Sequence, residues 1–448
     1  MHFHNKKVVR IAFMAALLIG LIVGVAAFAN GPIQEPDANI LLSLYGEQIG
    51  DAFGWVGENL GDITGDGVND VILSAPFHSA PGTTVSGKIY VYSGSDGALL
   101  NAFAGDDFEQ LGYSASTAGD INNDGVPDYI AGGTGNGGAP DIFRGRVVVF
   151  SGADHSILFD FIGPIGDRYG SSVAAAGDLN GDDFGDFLVG AARTNLMGRV
   201  YAYSGQDGSV LWSVDALGAG YGLGSAAGKV GDITGDGVPE VVFGAFGAPG
   251  ASHDPNNGGG QAFVYDGTDG SLIYTLKPTG TAGVFGLFFA SGAGDVNNDG
   301  YPDIFVGDFA DSRGSGVALQ PSGQAYVFSG KDGSRLRIFN AESRGEGLGP
   351  GRGIGEDVNG DGYGDFIIAG YTNSDAAPSA GKVYVYSGRN GQIIRTYTGT
   401  IANDWLGAEA FSMGDVNGDG LVDYMLTAYG LAFAGVNGGS AYLVAGTP

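Results

Sequence analysis

The stretch DVNGDGLVD, Asp415 to Asp423, decides how the rest of the chain reads. Oxygen-bearing side chains stand at its first, third, fifth and ninth positions, Asp415, Asn417, Asp419 and Asp423, with Gly420 at the sixth. Six close relatives precede it: DITGDGVND (Asp62 to Asp70), DINNDGVPD (Asp120 to Asp128), DLNGDDFGD (Asp178 to Asp186), DITGDGVPE (Asp232 to Glu240), DVNNDGYPD (Asp295 to Asp303) and DVNGDGYGD (Asp357 to Asp365). Successive first aspartates lie 54 to 63 residues apart. A fixed period of this kind marks a repeat architecture, each unit being one supersecondary element that buries its faces against its neighbours.

Working outward, an apolar residue followed by glycine stands nine or ten residues before each loop: Phe53, Leu111, Tyr169, Leu223, Phe285, Leu348 and Leu406. Behind each loop comes a short apolar run, as in Val71 to Leu73 and Tyr424 to Leu426. Such runs bounded by glycine read as buried strands. A second hairpin follows, as in GKIYVYSGSDGALL from Gly87 and GKVYVYSGRNGQII from Gly381, with Asp-Gly or Asn-Gly at the turn. Four antiparallel strands in each of seven units predict an all-β fold, a seven-bladed β-propeller. The last unit stops after its third strand, Gly439 to Gly446. Ile40 to Gly54 parallels Ala98 to Gly112, so an N-terminal strand is expected to complete the last blade and remove the open edge. An open solenoid, the alternative, would carry distinct caps.

Composition agrees. Hydrophobic residues make up 44% of the 448, too many for a disordered chain, and 86 glycines without a triplet period exclude collagen. No cysteine is present, which excludes disulfides, thiolate metal sites and cysteine nucleophiles. The net charge is −29, and −32 once Lys6, Lys7 and Arg10 are set aside, so nucleic acid is not an expected partner. Those basic residues, the apolar run Ile11 to Ala26 and the small residues before Asn30 read as a signal peptide over 1–29. Retention of the run as an anchor is the alternative, since ~20 apolar residues span a bilayer. A linker is expected at 30–38 and the propeller at 39–448, with no membrane span in the mature chain. The expected location is outside the cytoplasm: secreted, on the cell surface or periplasmic.

The loops have the chemistry of calcium sites. Odd spacing along a tight turn converges oxygens at positions 1, 3, 5 and 9, and the carbonyl of position 7 adds another; calcium takes 6 to 8 such ligands. The sets are Asp62, Thr64, Asp66, Val68 and Asp70; Asp120, Asn122, Asp124, Val126 and Asp128; Asp178, Asn180, Asp182, Phe184 and Asp186; Asp232, Thr234, Asp236, Val238 and Glu240. The remaining three are Asp295, Asn297, Asp299, Tyr301 and Asp303; Asp357, Asn359, Asp361, Tyr363 and Asp365; Asp415, Asn417, Asp419, Leu421 and Asp423. Glycine holds the sixth position in six loops, and Asp183 replaces it in the third. Asp183 and the longer Glu240 mark the two sites expected to be weakest. The loops are not EF-hands, which need a glutamate at position 12, where the first loop has Leu73. Seven divalent ions, each cancelling two charges, would bring −32 to −18.

Together these motifs resemble the FG-GAP repeats of the integrin α-subunit propeller over about Ile40 to Pro448. Phe53-Gly54, the Asp62 to Asp70 loop and Ser74-Ala75-Pro76 stand where that family has its Phe-Gly, calcium loop and Gly-Ala-Pro; Tyr169-Gly170 and Gly190-Ala191 match likewise. The resemblance implies a seven-bladed propeller with calcium in the first hairpin of a blade. It does not imply pairing with a β-subunit, because the integrin leg domains and membrane helix have no counterpart here.

If the loops join strands one and two, ligand recognition belongs on the opposite face, whose segments Phe77 to Ser86, Gly132 to Arg144, Ala248 to Gly259, Ala310 to Gly323 and Tyr371 to Ala380 vary most. Phe108, Tyr221 and Trp405 are candidates for stacking on sugars or peptides, with a buried packing role as the alternative and more common reading for any one of them. The expected function is a monomeric module for adhesion to an extracellular protein or glycan. The rival is a secreted carbohydrate-active hydrolase or lyase. His78, His155 and His253 lack a nucleophile motif, so no catalytic residue and no organic cofactor is assigned.

Overall fold

The computed structural model describes residues 31–135, 144–193, 197–218, 220–248, 259–279, 283–310, 322–433 and 435–447. Residues 1–29, where the sequence reads as a signal peptide, His253 and most of the segments 132–144, 248–259 and 310–323 lie outside these residues.

Seven four-stranded antiparallel sheets are present, each in sequence order from inside to outside except the last. In the first blade these strands are Gly57–Gly61, Asp70–Ala75, Lys88–Tyr92 and Leu99–Ala104. The last blade takes Ala410–Gly414, Asp423–Ala428 and Ser440–Val444 from the C-terminal end and Ile40–Tyr45 from the N-terminal end, with Ser43 opposite Tyr442. This is the expected closure. A four-residue helical turn, Gly430–Phe433, interrupts that blade's second connection.

Burial follows strand position. Second strands such as Asp70–Ala75 and Asp186–Ala191 are buried at every residue, as continuous apolar runs should be, whereas outer strands alternate with exposed positions. The core lies between blades: Phe53, Val71, Leu73 and Tyr90 of the first pack on Phe411, Met413, Met425 and Leu443 of the last. Each such side chain contributes about 1.5–3 kcal/mol on burial, so the ring is held chiefly by its inter-blade surfaces.

Glycine sets how closely blades approach. Gly87, ahead of the third strand, has φ +73° and forms a parallel bridge to Leu111, the residue that opens the next blade. A Cβ there would fall on the Leu111 backbone. The bridge recurs at Gly145 to Tyr169, Gly198 to Leu223, Gly323 to Leu348, Gly381 to Leu406 and, across the closure, Gly439 to Phe53. Ion pairs add a polar staple: Lys88 to Glu47 at 2.8 Å, Arg146 to Glu109 at 3.2 Å and Lys382 to Glu342 at 3.0 Å each join a third strand to the connection entering its blade.

Residues 31–38 run against the outer strand of the sixth blade, Ile393–Thr398. Ile33 is buried and bridges Gly399, Glu35 accepts the Thr398 amide at 2.7 Å, and Asp37 pairs with Arg395 at 2.7 Å. The segment thus ties the sixth blade to the closing one.

Candidate functional site

The acid-rich loops join the first and second strands of each blade, so one face carries them all. The first aspartate organises its own turn: in the first loop Asp62 accepts the amides of Gly65, Asp66 and Gly67 at 2.7, 3.1 and 2.8 Å. Asp66 accepts the Val68 amide at 2.9 Å. In the third loop Asp183 adopts the left-handed conformation that glycine holds elsewhere, φ +68°, and donates its amide to Asp178 at 2.9 Å. That loop keeps the geometry of the others, which aspartate tolerates better than most residues.

The ninth residue does something the sequence did not reveal. Asp70 is fully buried; one carboxylate oxygen accepts the Ile63 and Thr64 amides at 3.0 Å, and the other accepts Gly94 in the blade's second hairpin at 3.1 Å. Asp128, Asp186, Asp303, Asp365 and Asp423 make the same double attachment, to Gly152, Gly205, Gly330, Gly388 and Gly446 on the hairpin side. Each therefore bolts the first hairpin of its blade to the segment just past the third strand. Burial, reinforced by the carboxylates at positions 1 and 5, pushes Asp128, Asp186 and Asp365 up to about 6 and Asp303 to about 7. A loop that holds three carboxylates at this cost is short of positive charge, and an oxygen-binding cation would supply it. In the fifth loop the Asn297 Oδ1 is buried with no hydrogen-bond partner, a ligand atom still to be used.

Glu240 departs from the pattern. Its extra methylene directs both oxygens back to the loop, onto the Ile233 amide at 2.6 Å and the Thr234 hydroxyl at 3.1 Å. Asp232, Asp236 and Glu240 consequently bring ligand oxygens within 4.8 Å of one another, the one such carboxylate group among the described residues. The extra methylene thus keeps this carboxylate within its own loop.

The opposite face has different chemistry. Trp55 packs on Tyr113, Phe288 and Tyr429 at ring-centroid distances of 5.8, 6.1 and 5.3 Å. Phe288 to Phe309 at 6.5 Å, Phe309 to Tyr371 at 6.0 Å, Tyr371 to Trp405 at 5.8 Å and Trp405 to Tyr429 at 6.1 Å close the circuit. These seven aromatics line a central cavity of about 690 Å³ whose walls are the small residues of the inner strands, among them Ser116, Ala174, Ala227 and Gly292. Phe288, at φ +67° and 37% exposed, reaches from the fifth blade to rings of the first and second. Inside, Arg352 pairs with Glu409 at 3.1 Å and with Glu58, linking the sixth, seventh and first blades. Burial pushes Glu409 up to about 7, with Arg352 acting against it and Glu58 with it.

Of the three aromatics singled out in the sequence, Trp405 belongs to the circuit; Phe108 and Tyr221 do not line the cavity. Column alignment of the repeats would have found others: Phe309, Tyr371 and Tyr429 each directly follow a second strand. His78 Nδ1 is buried 2.9 Å from Asp51 Oδ2 and fixes a connection. His155 sits in a hairpin of the acidic face, 3.2 Å from the Tyr129 hydroxyl, and burial lowers its pKa.

A closed seven-bladed β-propeller with acidic loops on one face and an aromatic-rimmed cavity on the other is thus the class of this protein. Residues 53–92 match the FG-GAP repeat family and residues 357–426 the FG-GAP-like repeat family. The chain is 29% identical over 210 residues to integrin alpha-5 of Xenopus laevis, covering 42% of this chain and 19% of that protein. It is 30% identical over 215 residues to integrin alpha pat-2 of Caenorhabditis briggsae (42% and 17%) and 31% over 192 to integrin alpha-7 of Mus musculus (38% and 15%). The matched region spans under a fifth of each of these relatives. FG-GAP-type repeats are thus present at 53–92 and 357–426, and the propeller is similar to that part of the integrin α chains.

Proposed function

We propose that this chain is an exported adhesion module: calcium in up to seven loops stiffens the blades, and the opposite face binds an extracellular protein or glycan. On this reading 1–29 is a cleaved signal, 30–38 a linker whose described part becomes the clasp on the sixth blade, and 39–448 the binding propeller, acting as a monomer outside the cytoplasm. Cation chemistry is drawn from the all-oxygen loop sets and the raised pKa values of their buried ninth residues. When bound, the ion would neutralise the carboxylates that otherwise repel across each loop. The first, third, fifth and ninth side chains and the seventh carbonyl would hold it.

The observation that carries the binding role is the aromatic circuit around an apolar cavity, on the face that the structural loops leave free. Aromatic side chains supply large contact area at low conformational cost, and rings anchored by neighbouring rings are already ordered before a ligand arrives. The relatives named above are integrin α chains, and the adhesive role is extended from them to this chain by resemblance.

An array of extracellular-matrix proteins and glycans, probed in calcium, tests the proposal. Phe288→Ala and Trp405→Ala should abolish capture of whichever ligand is found, while Leu99→Ser, at an exposed position on the far rim, should leave it intact. Capture that survives both cavity substitutions in folded protein would place recognition elsewhere.

A further inference from the structure

Three of the loops contain asparagine at position 3 followed directly by glycine: Asn180-Gly181, Asn359-Gly360 and Asn417-Gly418. The other four have Thr-Gly or Asn-Asn there. Asparagine before glycine is the pair most open to attack by the following backbone nitrogen, because glycine presents no side chain to hinder ring closure. In all three the asparagine is exposed.

The folded loop blocks that reaction in two ways. First, the attacking nitrogen is occupied. Gly181 donates its N–H to Asp178 Oδ1 at 2.7 Å and Gly418 to Asp415 Oδ1 at 2.8 Å, and the Gly360 amide likewise bonds the Asp357 carboxylate. All three glycines lie in the left-handed region, φ +75°, +74° and +76°, which fixes these amides toward the first aspartate. Second, the asparagine amide is held. Asn180 Oδ1 accepts the Asp182 amide at 3.0 Å, Asn417 Oδ1 accepts the Asp419 amide at 2.9 Å, and Asn359 Nδ2 donates to Asp365 Oδ2 at 3.2 Å.

We propose that Asn180, Asn359 and Asn417 are deamidation sites that a closed, calcium-filled loop protects and an emptied loop exposes. The inference rests on the calcium reading given above. When the carboxylates of positions 1, 5 and 9 are left to repel one another, the turn opens locally and the glycine nitrogen is released. That nitrogen bonds to the asparagine Cγ and gives up its proton, the Cγ–Nδ2 bond breaks, and ammonia leaves. Water then opens the resulting succinimide at either carbonyl. One product is aspartate, which adds a further carboxylate to the loop, a fourth at Asn359 and Asn417 and a fifth at Asn180 beside Asp183. The other is isoaspartate, whose extra backbone methylene shifts the later ligands out of register. Either product is a permanent chemical record that the loop has been empty.

Two further pairs serve as controls outside the loops. Asn390 caps a hairpin through the Gln392 amide at 2.8 Å, and Asn437 accepts the Gly439 amide at 3.0 Å. The full protein is incubated at mildly alkaline pH in excess calcium or in chelator and mapped by peptide mass spectrometry. Chelator should speed conversion at Asn180, Asn359 and Asn417 roughly tenfold or more, the factor for an opening made easier by ~1.4 kcal/mol, and leave Asn390 and Asn437 unchanged. Asp415→Ala, which removes the acceptor for Gly418, should speed conversion at Asn417 even in calcium and spare Asn180. Equal rates with and without calcium at the three asparagines would overturn the inference. A parallel calorimetric calcium titration separates the two failures. Heat of binding without protection sinks this inference alone, and no binding sinks the calcium reading with it.

Discussion

Replacing Asp186 with asparagine should have little effect without calcium and a marked cost with it. The residue is fully buried and accepts the Leu179 amide at 2.7 Å on one oxygen and the Gly205 amide at 2.9 Å on the other. Asparagine keeps one acceptor and turns a donor toward the second amide, leaving a buried N–H unpaired at about 1–3 kcal/mol. Against this stands the cost of the native charge. The folded carboxyl is pushed up to about 6 from the ordinary carboxylate range, so the folded state holds its proton more tightly and stability falls as pH rises from about 4 to about 6. Above that window, without cation, the deficit is roughly 2–3 kcal/mol. The two terms offset, and in chelator at pH 7.5 the substitution should change unfolding free energy by no more than about 1 kcal/mol. In calcium at about 100 times its dissociation constant the native loop gains about 2.7 kcal/mol that the variant loses. Urea unfolding of both proteins in calcium and in chelator measures the difference. An equal loss in both buffers would refute the assignment of Asp186 as ligand as well as bolt.

Arg352→Gln leaves Glu58 and Glu409 facing each other in the cavity and should cost about 3 kcal/mol at pH 8 by urea unfolding; the loss should shrink below pH 6, because Glu409, already raised to about 7, then takes a proton. Asp404 is buried with Oδ1 unpartnered and burial raises its pKa to about 7, so its charge burdens the fold increasingly from about pH 4 to 7. Asp404→Asn should therefore raise the melting temperature at pH 8 and leave it unchanged at pH 4. Gly87→Ala forces a side chain into φ +73° against the Leu111 backbone and should cost at least ~2 kcal/mol in chemical unfolding, more than the same change at the open position Gly82. Glu240→Asp should weaken the fourth loop's cation affinity in calorimetric titration, since the shorter side chain returns to the hairpin as in the other six loops.

The architecture was readable because its determinants repeat. Ile40 to Gly54 aligns with Ala98 to Gly112, and the pairing of Ser43 with Tyr442 is the direct result. The calcium-type loops were legible for the same reason. What stayed hidden depends on convergence across the ring. Trp55 and Phe288 are far apart in sequence and meet only because the blades close, so no local pattern announces them, whereas Tyr429 shares a repeat column with Phe309 and Tyr371. The ninth aspartate reads as a ligand from its spacing, but its attachment to a hairpin about 24 residues on, as from Asp70 to Gly94, is a tertiary fact. The direction in which Glu240 uses its extra length, back onto the Ile233 amide and Thr234 hydroxyl, is likewise a fact of the folded loop.

The most direct test of the account is native mass spectrometry of the purified propeller equilibrated with calcium, alongside thermal melting in calcium and in chelator. Mass additions of several calcium ions, up to one for each of the seven loops, are expected, with a melting temperature that falls when they are stripped. A protein that carries no calcium at millimolar concentration and melts at the same temperature in chelator would contradict it.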